Sequence, residues 1–281
     1  MAIDTFIPTV WSEHLLNALD RKYVAVANCN REYEGDIREK GNTVKICGLN
    51  PIMVSNYTKN SNMTAPQALS DTYMELKIDQ AKYFNFQIDD IDRAQTQPKL
   101  MDLALKNAAN ALANTADSYV LGLITKADTQ IECGQLSADT ILDKILSART
   151  KILSNSDCSI EDIVLEVSPE VAECIFKAKL TSQDCNTELM ENGCIGNIFG
   201  CKVFVTKNIH RFQVDDYNST QSCVMRTKRA IAYAEQLSEV DAYRPELRFA
   251  DAVKGLHLYG AKIVYQNEIL ALNFSVPVNQ N

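Results

Sequence analysis

The sequence predicts an α+β fold, and three observations carry that reading. A strand pattern runs from Thr72 to Ile88, longer than a globular core needs. It delivers the chain through a short acidic junction into a long amphipathic helix, and a compact α/β unit follows. Along the strand the even positions read Met74, Leu76, Ile78, Gln80, Lys82, Phe84, Phe86 and Ile88, apolar at both ends with a polar middle. At about 3.3 Å per residue an unbroken strand of that length spans roughly 55 Å, against about 17 to 20 Å for an ordinary one. Such a ribbon projects beyond its own core, and the receiver it implies is another copy of the same chain.

Composition sets the limits. A chain of 281 residues with 46% hydrophobic content buries a real core as one large or two modest domains. The formal net charge of -8 argues against a dedicated reader of nucleic acid, which carries a concentrated positive footprint. The first twenty residues hold Asp4, Glu13, His14 and Asp20 without a basic start and apolar run, so no secretory signal is read. The charge-free apolar run Tyr119 to Ile124 is far short of a membrane span. Nine cysteines, without any Cys-x-x-Cys spacing, read as free thiols of a reducing compartment. The chain is expected to be soluble and intracellular when made. The glycosylation sequons at Asn56, Asn62, Asn218 and Asn273 are then chance matches.

The elements follow in order. After an extended arm, Met1 to Pro8, a first helix is predicted from about Trp11 to Ala27, with Trp11, Leu15, Leu16, Leu19, Tyr23 and Val26 sharing a face. Residues 28 to 71 carry Gly35, Gly41, Gly48, Pro51 and Pro66, with extended pieces such as Thr43 to Cys47. They read as the outgoing strand and tip of a long hairpin whose return strand is Thr72 to Ile88. Asp89, Asp90 and Asp92 precede Pro98, a suitable first-turn residue. Met101, Leu105, Ala108, Leu112, Thr115, Tyr119 and Leu123 then recur at three and four, predicting a helix of roughly 40 Å. A helix over 139–153, a buried strand Ile160 to Val167 and a helix from Pro169 to about Leu180 form the α/β unit, the last opened by Ser168, Pro169 and Glu170 as cap, first-turn proline and dipole partner. Gly193 to Gly200 reads as a loop leading to the strand Cys201, Val203, Val205. Val253 to Leu258, a turn at Tyr259 and Gly260, and Ala261 to Tyr265 close the chain.

Candidate chemistry is sparse. Asp89, Asp90 and Asp92 could form an acid/base pair or a hard-metal site. Acids just before a helix are equally expected from its dipole, and Arg93 stands beside them, so the structural reading is favoured. Cys185, Cys194 and Cys201 are too widely spaced for a zinc site, and His14, His210 and His257 belong to no His-Glu-x-x-His motif. The glycine run 193–200 fits neither a Walker loop nor Gly-x-Gly-x-x-Gly, and no nucleophile elbow is present. No catalytic residue, cofactor or metal site is expected. Among the aromatics, Phe84 and Phe86 read as core and Trp11 as core or interface, whereas Phe6 in the arm and Tyr57 near the hairpin tip lean toward an interface.

In their order and spacing, several segments resemble the major capsid protein of tailed double-stranded DNA bacteriophages, with the Hong Kong 97-like fold. They are Phe6-Ile-Pro-Thr-Val-Trp11-Ser through Asp20, Asn30 to Gly35, Gly41 to Ile46, Ile78 to Phe84 through Asp90, Gly196-Asn-Ile-Phe-Gly200, and Ala230 to Tyr233 through Gly260. The resemblance implies an N-terminal arm with the first helix (1–29), an extended β-hairpin loop (30–88), a peripheral domain with a spine helix (89–126 and 240–281) and an axial domain (127–239). It implies a structural, non-enzymatic subunit that self-assembles as pentamers and hexamers into an icosahedral shell around double-stranded DNA. It also implies a homo-oligomer made in the host bacterial cytoplasm, touching packaged DNA without reading its sequence, with Phe6, Trp11, Tyr57 and Lys59 at subunit interfaces. The arm starts almost at Met1, so a separate scaffolding protein is expected, together with a portal. Lys59 lies near the loop tip, but no Asn or acid partner for an isopeptide bond is identified, and self-crosslinking is not expected. Two alternatives stand: a nanocompartment shell of the same fold around an enzyme cargo, and a cytosolic enzyme using Asp89, Asp90 and Asp92.

Overall fold

Alanine makes the spine of the molecule thin. The helix α1 (Leu100–Gly122) buries Leu105, Ala109, Leu112, Ala113, Ala116 and Val120 at the spacing of one face, and extends about 35 Å. Small side chains along that face let the neighbouring sheet come close to the helix axis. A 3-10 turn, Leu123–Lys126, tightens its end. The computed structural model describes residues 22–33, 43–49, 71–89, 100–156, 162–181, 194–213 and 218–277, with Leu15, Leu19, Asn56, Lys59, Asn62, Cys158 and Ser159 besides.

Two further helices, α2 (Ala138–Asn155) and α3 (Pro169–Thr181), and twelve strands complete the described chain. The strands are β1 (Thr43–Leu49), β2 (Asp71–Lys77), β3 (Gln80–Asp89), β4 (Gln130–Gln135), β5 (Ile163–Val167) and β6 (Cys194–Ile198), then β7 (Cys201–Val205), β8 (His210–Gln213), β9 (Asn218–Thr227), β10 (Ile231–Tyr243), β11 (Ala250–Ile263) and β12 (Ile269–Pro277). They form a two-stranded ribbon β1-β2, an antiparallel sheet in the order β10-β11-β3, and a seven-stranded mixed sheet β4-β12-β9-β5-β7-β6 with β8 on β9.

Each sheet has its own core. The three-stranded sheet packs with α1, Leu15, Leu19 and Tyr23, and the half-buried Phe84 and Phe86 join that core from β3. The mixed sheet packs one face on α2 and α3 through Ile141, Ile145, Val171, Ile175, Leu165, Met225 and Leu272. Its strands alternate: on β9, Cys223 and Met225 face the α2–α3 core while Val224 faces the α1 core, and on β12 Leu270 and Ala271 divide in the same way. The mixed sheet is therefore the wall between two cores. Capping at α3 follows the sequence, with Ser168 Oγ accepting from the Val171 N–H at 3.3 Å, and Ser137 caps α2 through the Asp139 N–H.

Several elements differ from expectation. The strand Thr72 to Ile88 is broken after Lys77: β2 pairs with β1, whereas β3 pairs with β11. The polar middle of its even face marks the handover between two hydrophobic clusters, Leu76 and Ile78 on one side and Phe84 and Phe86 on the other. The expected helix to Ala27 gives way early. Tyr23 N–H still reaches the Leu19 carbonyl at 3.1 Å, but Val26–Asn28 is a 3-10 turn. The Asp117 carboxylate takes the N–H groups of Val24, Ala25 and Val26 at 3.0 Å each, donors a continuing helix would turn inward. The glycine run is a hairpin, since Phe199 (φ 51°) and Gly200 (φ 82°) both take the left-handed conformation of a tight primed turn between β6 and β7. Tyr259 and Gly260 do not turn; β11 passes straight through them. Finally β10 starts at Ile231 in the three-stranded sheet, and β12 lies in the seven-stranded one, so the boundary at 240 and the assignment of 240–281 to one unit do not follow the sheets.

Candidate assembly surfaces

Among the described residues, the β1-β2 ribbon is anchored through Val44, Ile46, Leu76 and Ile78. These pack on Ala232, Ala234 and Leu258 of the three-stranded sheet, whereas Tyr73 and Met74 are exposed. The seat is tight. A Cβ on Gly260 would stand 2.2 Å from the Lys77 carbonyl oxygen, so only glycine lets the ribbon cross β11 at this height. Lys262 Nζ donates to the Glu75 carbonyl at 3.1 Å, and Tyr119 of α1 donates its hydroxyl to Asp79 Oδ1 at 3.1 Å. Burial, then the Asp79 charge, push the Tyr119 and Tyr259 hydroxyls up to about 12, so both stay protonated and Tyr119 keeps its proton for Asp79.

A buried polar joint ties the 22–30 segment to both cores. Arg226 of β9 and Glu166 of β5 have fully buried side chains, and the guanidinium meets the carboxylate through Nε at 3.1 Å and Nη2 at 2.8 Å. Its remaining donors reach the carbonyls of Asn28 at 2.7 Å and Ala25 at 2.8 Å. Asp117 holds the same turn from α1. Burial raises its carboxyl to about 6 in spite of the three amide donors that lower it. Next to this joint, Glu235 accepts from Tyr23 Oη at 2.5 Å, Tyr233 Oη at 2.8 Å and Arg31 Nη2 at 2.7 Å, with His257 Nε2 at 2.9 Å. Burial pushes Glu235 upward, but His257, Tyr23 and Arg31 outweigh it and hold it below the usual carboxylate range. The chain entering the ribbon is thus fastened to β10 and β11.

Sequence reasoning passed over these residues, although Asp117 shares a helix face with Ala113, Ala116 and Val120, Glu166 interrupts Ile-Val-Leu-Glu-Val, and Arg226 follows Val-Met. A charge on a buried face requires a partner, and that signal was present.

Of the residues expected at interfaces, Lys59 is exposed, and Phe6, Trp11 and Tyr57 lie outside the described residues. Asp89 is exposed at the end of β3; Asp90 and Asp92 lie outside the described residues. The structure therefore does not bring the three acids together as a described site. His210 sits on β8, His257 is buried against Glu235, and His14 and Cys185 are outside the described residues. Cys201 is buried in the α2–α3 core, with Cys194 on the neighbouring strand β6. Burial pushes the thiols of Cys29 and Cys133 up to about 11 and that of Cys223 to about 12, which keeps them neutral. Large apolar side chains reach solvent at the turn between β10 and β11, where Leu247 is 96% and Phe249 84% exposed, and on β3 at Tyr83, 79% exposed. No described helix is long and apolar enough to cross a membrane.

No family model matches the chain, and no curated protein matches it by sequence. Solved structures do. A chain from Mycobacterium phage Che8 is 30% identical, superimposes with a TM-score of 0.68, and the match covers 89% of this chain and 90% of that one. The mature capsid of bacteriophage PhiM1 matches with a TM-score of 0.65 at 14% identity over 90% of this chain and 87% of that one. A virus-like particle from Pyrococcus furiosus matches with a TM-score of 0.55 at 11% identity over 94% and 98%.

Proposed function

This chain belongs to the major capsid proteins of tailed bacteriophages, with the Hong Kong 97-like fold, and we propose that it closes as pentamers and hexamers around double-stranded DNA. Its role is that of a structural shell subunit of the virion. The observation that carries the proposal is the ribbon: β1 and β2 pair over their full length, and of the described side chains Val44, Ile46 and Leu76 are buried while Tyr73 and Met74 are exposed, which leaves surface for a neighbouring subunit to cover. Weak contacts repeated over a closed shell then add up through multivalency.

On this reading the peripheral unit is built on α1, β3, β10 and β11, and the axial unit on the mixed sheet with α2 and α3. Phe6, Trp11, Tyr57 and Lys59 serve subunit contacts. A separate scaffolding protein and a portal act during assembly in the bacterial cytoplasm, and packaged DNA is touched without sequence reading, as the net charge of -8 favours. The fold likeness to the Pyrococcus furiosus particle supports a second reading, a cargo compartment, but at 11% identity it speaks to fold alone, whereas the 30% match favours a phage shell. The test is electron cryo-microscopy of assembled particles with nuclease digestion. Pentamers and hexamers around nuclease-protected double-stranded DNA are expected; shells holding protein cargo and no protected DNA overturn the proposal.

A further inference from the structure

Between Lys77 and Gln80 the ribbon leaves the sheet, and four features converge on that break. Ile78 is buried in the cluster with Leu76, Ala232 and Leu258. Asp79 accepts from Tyr119 of the spine helix. The Tyr119 ring stands edge-on to Tyr259 at 5.5 Å, and Tyr259 is the last partner of β3, opposite Gln80. The next residue of β11, Gly260, lies directly beneath the Lys77 carbonyl. The ribbon thus rests on a hard seat and is held from the side by a strut rooted in the helix.

We propose that the Gly260 seat and the Tyr119–Asp79 strut set the angle at which the ribbon leaves the subunit, and through it the curvature, and hence the diameter, of the shell. The inference rests on the shell reading above. The seat fixes how low the ribbon can lie, because the contact is with backbone, which cannot rotate away. The strut fixes its direction, because Tyr119 belongs to the 23-residue helix α1 and Asp79 to the break between β2 and β3. The lever is long: β1 extends about 23 Å from the seat. Raising a Cβ at Gly260 from 2.2 Å to an ordinary contact of 3.4 Å lifts the base by about 1 Å, which tilts the ribbon by about 3°. Subunits that meet neighbours through tilted ribbons close at a different radius. Tyr119 and Asp79 are positioning residues, acting through the ribbon they orient.

The test uses Tyr119→Phe and Asp79→Ala, which remove the strut, Asp79→Asn, which keeps an acceptor oxygen, and Gly260→Ala, which raises the seat. Shell diameters are measured by electron cryo-microscopy and subunit thermal midpoints beside them. Tyr119→Phe and Asp79→Ala are expected to broaden or shift the diameter distribution at a nearly unchanged midpoint, Asp79→Asn to keep the wild-type distribution, and Gly260→Ala to shift it. Wild-type diameters in both Tyr119→Phe and Asp79→Ala overturn the inference, as does a change in Asp79→Asn equal to that in Asp79→Ala. If the unaltered chain forms no shells, the shell reading itself fails. The angle is then still read on the isolated subunit, from the distance distribution between probes at Lys45 and Leu103. A distribution broadened by Tyr119→Phe supports the strut; one identical to wild type overturns it.

Discussion

Replacing Asp117 by Asn tests whether the turn at Val24 to Val26 is held at the cost of a buried charge. The carboxylate offers Oδ1 to Ala25 and Val26 and Oδ2 to Val24, all at 3.0 Å. Asn keeps one oxygen for Ala25 and Val26, but its amide group meets the Val24 N–H as donor against donor. One lost hydrogen bond costs about 1 kcal/mol. Against this stands the burial that moves the carboxyl from 3.8 to about 6 in the folded chain. A carboxyl whose folded pKa lies above its unfolded one binds more protons in the native state between the two values, so its contribution is complete below 3.8 and is lost as pH rises through about 6. The difference amounts to about 3 kcal/mol. Asn does not titrate. At pH near 4 the variant should therefore be less stable than wild type by about 1 kcal/mol, and above pH 7 more stable by about 2 kcal/mol. Urea unfolding of the dissociated subunit across pH gives the difference, and amide exchange should show Val24 losing protection in the variant at every pH. A stability difference that stays flat between pH 4 and 7, or that moves in favour of Asp as pH rises, refutes the reasoning.

Three other outcomes are expected. Arg226→Met strands the buried Glu166 carboxylate and the carbonyls of Ala25 and Asn28, so thermal or urea unfolding should show a loss of about 3 to 5 kcal/mol, much of it recovered when Glu166→Leu is added. Deleting residues 50–70 with a short Gly-rich bridge should leave a subunit of near wild-type midpoint and circular dichroism that no longer gives stable particles on sedimentation, since the described core of the ribbon lies at its base. Asp89→Asn, Asp90→Asn and Asp92→Asn should each cost at most about 1 kcal/mol of subunit stability and abolish no chemical turnover; a substrate processed by wild type and lost in one variant counts for the enzyme reading.

Much of this fold is legible because its elements are locally consistent. The three-and-four recurrence of α1, the Ser168-Pro169-Glu170 opening of α3 and the alternation in β7 each follow from a period or a cap, and the structure forms all three elements, although the buried face of α1 runs through Ala109, Ala113, Ala116 and Val120 while Thr115 is exposed. What the sequence does not carry is where a strand changes partner. Thr72 to Ile88 keeps one alternating pattern because both halves need one buried face, yet the two faces serve different cores, and the break at Ile78–Asp79 shows only as a polar middle. Gly260 misleads for a related reason: a glycine needed for close approach looks in sequence like a glycine needed for a turn. The joint of Asp117, Glu166 and Arg226 brings together residues from three distant segments, which no local period can register.

The central claim, that this chain is built to form a closed shell, is tested most directly by sedimentation velocity and electron microscopy on the purified chain, with and without a co-produced scaffolding protein, across salt and concentration. Closed particles of megadalton mass are expected in at least one of these conditions. Monodisperse monomers or dimers throughout, with the scaffold supplied, would contradict it.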